Sequence, residues 1–99
     1  DARALEEAGA DVLLLECVPM DLAREITRNA QVPVIGIGAG PDVDGQILVL
    51  YDILDIAPGK RTRFSRNYIE HTGSIHKAVQ QYVADVRDGR FPTPEYAFT

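Results

Sequence analysis

The stretch that most constrains the fold is an unbroken apolar run, Val12–Leu15, that ends in a carboxylate. Gly9 and Pro19 bound the run, so it reads as one strand. A strand buried on both faces loses the alternation of a half-exposed strand and has a continuous apolar sequence of this kind. Glu16 stands at the carboxyl end of the predicted strand. Because α/β enzymes place their chemistry at the carboxyl ends of parallel strands, Glu16 is the first candidate functional residue.

A helix and a second strand follow this first strand. The spacing of apolar residues predicts an amphipathic helix over Met20–Ala30, with a buried stripe of Leu22, Ala23, Ile26 and Ala30. A second wholly apolar strand is predicted over Val32–Ile37, and Pro33 is tolerated near its start. Apolar strands joined by amphipathic helices indicate an α/β fold with parallel pairing and right-handed crossovers.

The stretch QILVLYDIL, residues 46–54, fits a strand or a helix. Ile47 to Leu50 could form a third buried strand, whereas the apolar residues at helical spacing are Ile47, Leu50, Tyr51 and Leu54. We predict a short strand over Gln46–Val49 that runs into a helical turn. The loop before it, IGIGAGPDVDG, is shorter than the dozen or so residues of a usual parallel crossover.

The C-terminal third is predicted to be helical with an aromatic tail. Ser74 is a good N-cap for a helix over Ile75–Asp88, and Gly89 ends it. The predicted buried stripe comprises Ile75, Ala78, Val79, Tyr82, Val83 and Val86. Residues 90–99 contain two prolines and three aromatic residues, and we expect this tail to dock on a surface.

The other end of the chain suggests a piece of something longer. Residues 1–8 read as the end of a helix already under way, with Leu5 and Ala8 facing a core and Gly9 ending the helix. Both predicted strands need neighbours that 99 residues do not supply. We therefore expect one domain segment, residues 1–99, whose sheet is completed by another polypeptide, most simply the missing N-terminal part of the same protein.

Composition excludes several classes of function. The net charge of −5 makes nucleic acid an unfavourable partner. A single cysteine excludes a disulfide framework and a cysteine-rich metal site, and it fits a reducing cytoplasm. The longest apolar run is far shorter than the roughly 20 residues of a membrane-spanning helix. These observations favour a cytoplasmic protein that binds neither nucleic acid nor a membrane.

Three stretches together resemble one known family. They are LLLECVP, PVIGIGAGPDVDGQILVLYDIL and the aromatic tail, and they resemble ketopantoate hydroxymethyltransferase, also called 3-methyl-2-oxobutanoate hydroxymethyltransferase. The resemblance runs from Asp1 to about Phe98 and covers the C-terminal part of the family's chain. It implies a (βα)8 TIM barrel of the phosphoenolpyruvate/pyruvate type, of which this chain would supply about strands six to eight with their helices.

The resemblance also implies a reaction. The family transfers a hydroxymethyl group from 5,10-methylenetetrahydrofolate to 3-methyl-2-oxobutanoate with Mg²⁺, usually as a homodecamer, in pantothenate and coenzyme A biosynthesis. Its proton acceptor, the glutamate of LLECVP, corresponds to Glu16. A metal that polarises the 2-carbonyl would make the C3 proton acidic, and an apolar pocket would raise the pKa of the carboxylate toward the working pH. Glu16 could instead handle the proton of the nascent hydroxyl. The family's metal ligands lie upstream, so we expect none in this chain and no activity from it alone.

The glycine-rich loop has two interpretations. Gly36, Gly38 and Gly40 form GxGxG rather than GxGxxG, and no lysine follows, so a nucleotide loop is poorly supported. We predict that Gly38 and Gly40 let the backbone pass close to substrate or to a neighbouring strand. Alternatively, their amides could hold a phosphate, as in many barrels, which would indicate a different barrel enzyme with a phosphorylated substrate. A third hypothesis is a non-catalytic fragment.

The remaining polar residues have ordinary structural interpretations. Cys17 is expected to be a small packing residue, and the histidines at 71 and 76 are too poorly spaced for a helical metal pair. Asp42 and Asp44 are expected to be turn residues, and the segment around Asp52 lacks a calcium-loop pattern. The basic residues are expected to form a solvated face, or else to lie near the glutamate tail of the folate: Lys60, Arg61, Arg63 and Arg66.

Overall fold

The computed structural model describes residues 1–56, residue 59 and residues 62–98. The strands are β1 (Leu13–Glu16), β2 (Val34–Ile37) and β3 (Gly45–Gln46). The helices are α1 (Ala2–Glu7), α2 (Met20–Asn29), α3 (Leu50–Ile53), α4 (Ile69–Thr72) and α5 (Ile75–Arg87). A 3-10 turn covers Pro94–Tyr96. Among these described helices, none has the length and apolar character that crossing a membrane requires.

The three strands form one parallel sheet in the order β1-β2-β3. This confirms the predicted α/β character and the parallel pairing of the first two strands through a helical crossover. The pairing of β2 with β3 needs no helix, because β3 is only two residues long and lies beside Ile35 and Gly36. Residues 38–44 therefore have to return by only about two residues along the sheet, which a short loop can span.

The third strand is shorter than predicted. We expected Gln46–Val49, whereas the ladder covers Gly45–Gln46 and is extended by one bond, from the N–H of Ile47 to the carbonyl of Gly36 at 3.0 Å. The predicted helical turn follows at α3, so the order of strand and turn is confirmed. The carboxylate of Asp44 lengthens the pairing at the other end, because its Oδ2 accepts from the N–H of Val34 at 2.8 Å.

One face of the sheet is covered, whereas the other is only partly covered: on it Ile37 is buried and Leu14 is exposed. Leu13, Leu15 and Val34 pack against Ala23 of α2, with Ala2 of α1 at the edge of the cluster. The prediction that the first strand is buried on both faces is wrong for this structure, because Leu14 is 57% exposed. The apolar run therefore includes a residue, Leu14, on a sheet face that this chain does not cover at β1.

Residues on three helix faces also differ from the prediction. Leu5 and Ala8 were expected to face a core, yet both are exposed, and Leu5 retains 59% of its accessible surface. Ile75, the first residue of the predicted stripe of α5, is 64% exposed. Leu22 of α2 and Val83 of α5, which were also predicted to be buried, are 47% and 42% exposed.

A second core lies away from the sheet and joins the C-terminal elements. Its buried members are Ile53, Leu54, Tyr68 and Ala78. The ring of Phe91 adds the tail to this core, at 6.1 Å from Tyr68 and 5.9 Å from Tyr82 between ring centroids.

Candidate functional site

Glu16 lies at the carboxyl end of β1, beside Ile37 at the end of β2. The side chain of Glu16 is exposed. The chain then turns at Cys17, whose φ of 55° is in the left-handed region, and the N–H of Cys17 donates to the carbonyl of Ile37 at 2.9 Å. Cys17 is exposed, so the expectation that it packs in the core is wrong.

Glu16 belongs to an apolar face of the sheet. Neighbours at the same register in a parallel sheet point to the same side, so Glu16 shares its face with Ile37, and Leu14 shares it with Ile35. Ile47 extends the pairing of β3 to the level of Ile37 and is 46% exposed. We call these five residues the open sheet face. The other four residues of this face are aliphatic neighbours of the Glu16 carboxylate. Glu16 is nevertheless exposed, so this chain alone does not form the apolar pocket that we expected around it.

Gly38 and Gly40 are buried and closely packed. A Cβ at Gly38 would lie 2.9 Å from Cγ of Phe64, and a Cβ at Gly40 would lie 2.6 Å from Cβ of Met20. Both glycines have positive φ, of 66° and 84°. The approaches are thus to side chains of this chain, not to a neighbouring strand. The proximity of these glycines to substrate stays a prediction.

The loop after β2 is fixed at both sides. The guanidinium of Arg24 on α2 donates to Asp42 at 2.9 Å, and Nε2 of Gln46 donates to the carbonyl of Gly40 at 2.7 Å. These contacts connect α2, the glycine loop and β3 at the carboxyl edge of the sheet. Sequence reasoning took Asp42 and Asp44 as turn residues, whereas they anchor the loop and extend the strand.

The described residues do not offer a magnesium site. Among them, no group of three or more histidine, cysteine, aspartate or glutamate side chains could hold a metal ion. The carboxylates of Asp42 and Asp44 are engaged with Arg24 and with the backbone of Val34. The side chain of the histidine at position 71 lies outside the described part of the chain.

The basic cluster is not simply a solvated face. Arg66 stacks over the ring of Tyr68, with Cζ 4.8 Å from the ring centroid, and donates to Asp85 at 3.3 Å. Arg63 is exposed. Lys60 and Arg61 lie outside the described residues, so the folate-tail hypothesis for this cluster stays a prediction.

Asp85 is a buried carboxylate that the sequence analysis missed. It accepts hydrogen bonds from Gln81 at 2.7 Å, Arg90 at 2.9 Å, Tyr68 at 3.0 Å and Arg66 at 3.3 Å. Burial alone would raise the pKa of Asp85, but these donors outweigh burial and lower it below its ordinary value. A signal was available, because Asp85 lies at helical spacing from Ala78 and Tyr82 on the buried side of α5.

Comparison with known proteins identifies close relatives. The sequence profile described as Ketopantoate hydroxymethyltransferase matches residues 1–94. A 3-methyl-2-oxobutanoate hydroxymethyltransferase of Alkalilimnicola ehrlichii is 59% identical over 98 residues, which are 99% of this chain and 35% of the relative. Proteins of the same name are 53% identical in Shewanella amazonensis and in a Janthinobacterium species, each over 99% of this chain and 37% and 36% of the relative. The chain thus spans little more than a third of the length of these relatives.

Proposed function

The chain belongs to the ketopantoate hydroxymethyltransferase family, and from this premise we propose that it is the C-terminal part of an enzyme that hydroxymethylates 3-methyl-2-oxobutanoate. The donor is 5,10-methylenetetrahydrofolate and the product is ketopantoate. The observation that carries the proposal is the position of Glu16, a carboxylate at the carboxyl end of a parallel strand on an apolar sheet face that this chain leaves open.

The open sheet face is the interior of a (βα)8 barrel in this proposal. Strands β1, β2 and β3 are the sixth, seventh and eighth of the barrel, and the missing N-terminal part supplies the others. The exposure of Leu14 and the packing of α1 and α2 on the opposite face support this arrangement, because barrel helices cover only the outer side of the strands. Once enclosed by the other strands, Glu16 is surrounded by aliphatic side chains.

Glu16 serves as the general base. Its carboxylate accepts the C3 proton of the ketoacid, and the resulting carbanion attacks the methylene carbon of the folate. The C3–CH₂ bond forms and both bonds from folate nitrogen to this carbon break. Water supplies the hydroxyl group to the methylene carbon and its other proton to one folate nitrogen, and the C3 proton held by Glu16 passes to the second folate nitrogen. The alternative role for Glu16 is transfer of the hydroxyl proton. Because the described residues do not fit a Mg²⁺ site, the proposal places the metal on the N-terminal part and assigns no metal ligand to the described residues.

A phosphate-binding barrel enzyme is a weaker alternative. Close packing against Phe64 and Met20 accounts for Gly38 and Gly40 without a phosphate. The family also indicates assembly as a homo-oligomer, with a decamer as the expected form, and its small-molecule partners are the ketoacid and the folate.

A chimaera tests the proposal. Residues 1–98 replace the matching segment of the Alkalilimnicola ehrlichii relative, to which they are 59% identical. We expect this protein to form ketopantoate from the ketoacid, methylenetetrahydrofolate and Mg²⁺, whereas the 99-residue chain alone forms none. Glu16→Gln should lower kcat roughly a hundred- to ten-thousandfold. The matched control is Glu25→Gln, at an exposed residue of α2 away from the open sheet face.

Three results would contradict the proposal. An inactive but folded chimaera would argue against this segment as part of the enzyme. Equal activity in the Glu16→Gln and Glu25→Gln variants would remove Glu16 from the chemistry. Turnover by the isolated chain would show that no N-terminal part is needed.

A further inference from the structure

The C-terminal tail reaches the turn that follows Glu16. Ala97 is fully buried, and the carbonyl of Phe98 accepts a hydrogen bond from the N–H of Met20 at 2.8 Å. Met20 is the first residue of α2, and its N–H has no partner within the helix. The tail therefore satisfies a helix end that lies only four residues beyond the candidate base.

This turn needs external support. Cys17 has a φ of 55°, and a left-handed backbone is unfavourable for a residue that carries a Cβ. Such a conformation persists only where surrounding contacts hold it. Here Cys17 donates to the carbonyl of Ile37 at one end of the turn, and Met20 donates to that of Phe98 at the other.

A second aromatic residue connects the tail to the other strand. The ring of Phe98 lies 6.4 Å from that of Phe64 between centroids, and Phe64 covers Gly38 at a distance that leaves no room for a Cβ. Gly38 directly follows Ile37, the register partner of Glu16. A continuous set of contacts therefore joins the two strand ends. It runs from the turn after Glu16 to the tail, from Phe98 to Phe64, and from Phe64 to Gly38 at the end of β2.

We propose that Phe64 and Phe98, which we call the aromatic clamp, are positioning residues that hold the turn Glu16–Met20 and thereby set the position of the Glu16 carboxylate for proton transfer. This inference rests on the proposed function for its catalytic consequence. The clamp acts through the backbone of the turn and makes no contact with substrate in this role. Its two residues are far apart in the chain, at positions 64 and 98, so only the fold brings them together.

The test uses the chimaera with Phe64→Ala, Phe98→Ala and the conservative Phe98→Tyr. The readouts are kcat, KM for the ketoacid and the rate at which the C3 proton of the ketoacid exchanges with deuterated solvent. We expect each alanine variant to lower kcat and the exchange rate together, by roughly ten- to a hundredfold, while KM changes by less than about threefold. Phe98→Tyr should restore both rates to within about threefold of the parent, because it keeps the ring. Tyr96→Ala is the matched control, since its ring packs on Phe91 at 5.3 Å and not on the clamp.

The outcomes separate the two proposals. Folded Phe64→Ala and Phe98→Ala variants with parental kcat and exchange would overturn the clamp, as would an equal loss in Tyr96→Ala. An inactive parent chimaera would instead overturn the proposed function. In that case amide hydrogen exchange at Cys17 and Met20 tests the clamp. Phe98→Ala should accelerate this exchange if the clamp holds the turn, and unchanged exchange would overturn the clamp.

Discussion

The phenol of Tyr68 donates a hydrogen bond to the carboxylate of Asp85 at 3.0 Å, and the two side chains are only 1% and 3% exposed. Burial raises the pKa of Tyr68, and the bond to Asp85 raises it further, so the phenol stays protonated and able to donate. Tyr68 lies in the second core, and Asp85 also binds Arg66 and Arg90. The Asp85 carboxylate therefore links α5 to the segment before α4 through Tyr68 and Arg66, and to the start of the tail through Arg90.

Removing the two buried tyrosine hydroxyls should have opposite effects. Tyr68→Phe deletes a donor to a buried carboxylate and should lower the free energy of unfolding by about 1.5–3 kcal/mol. The matched variant is Tyr82→Phe, whose ring lies 5.8 Å from that of Tyr68 between centroids. The hydroxyl of Tyr82 is buried and finds no hydrogen-bond partner in the described part of the chain. Its removal should be neutral or stabilising by up to about 1 kcal/mol. Urea unfolding of the chimaera measures both, and equal losses would contradict the assignment.

Stability at low pH should depend on Asp85. Because its hydrogen bonds hold the folded pKa of Asp85 below the ordinary value of 3.8, the unfolded chain takes up the proton first as the pH falls. The stabilisation is fully present above about pH 3.8 and is lost as the pH falls through the folded pKa. Asp85→Asn should therefore destabilise the chimaera at neutral pH and flatten the acid limb of its pH–stability profile. Asp11→Asn, at an exposed residue, serves as control and should leave the profile unchanged.

Gly40→Ala should lower the free energy of unfolding by more than its positive φ alone explains. Gly40 and Gly73 have similar positive φ, of 84° and 69°, but only at Gly40 would a new Cβ meet another atom, Cβ of Met20. Gly73→Ala should cost about 1–2 kcal/mol. Gly40→Ala should cost a further 1–3 kcal/mol or so, because α2 has to move. Thermal unfolding of the two variants measures the difference between their losses of stability. Equal losses would show that the loop accommodates the new Cβ without a further loss of stability.

Ser74→Ala should weaken the longest helix at its start. The side chain of Ser74 accepts from the N–H of Lys77 at 3.1 Å, as an N-cap does. Its loss should cost about 1 kcal/mol. Ser74→Asp keeps an acceptor at the same position and should retain most of the stability. If the aspartate variant were as unstable as the alanine variant, the cap would not be the reason.

Features that depend on neighbouring residues could be predicted from the sequence. The start of α5 at Ser74 and its end before Gly89 are set by backbone propensity and by capping within a few residues. The parallel pair β1–β2 followed from two apolar runs with a helical pattern between them. The resemblance that led to Glu16 also depended on short, continuous motifs.

Features that depend on distant contacts could not be predicted in this way. Periodicity cannot tell which face of an apolar strand this chain covers, so Leu14 was assigned to a core that its own chain does not build. The length of β3 was missed because the apolar sequence continues to Leu50, whereas the pairing with β2 ends with the bond from Ile47 to Gly36. Asp85 was missed because a charged residue is buried only when hydrogen-bonding partners compensate for its lost hydration. Two of these partners, Tyr68 and Arg66, come from the segment before α4.

The sequence by itself determined the α/β class, the family and the position of a carboxylate at a strand's end, because these are written in local patterns of apolar, turn and capping residues. The tertiary structure alone decided that the tail reaches the turn after Glu16, that Phe64 packs on Gly38 and that Tyr68 and Arg66 reach Asp85. The physical reason is that each of these contacts joins residues far apart in the chain, and their free energy exists only once the chain is folded.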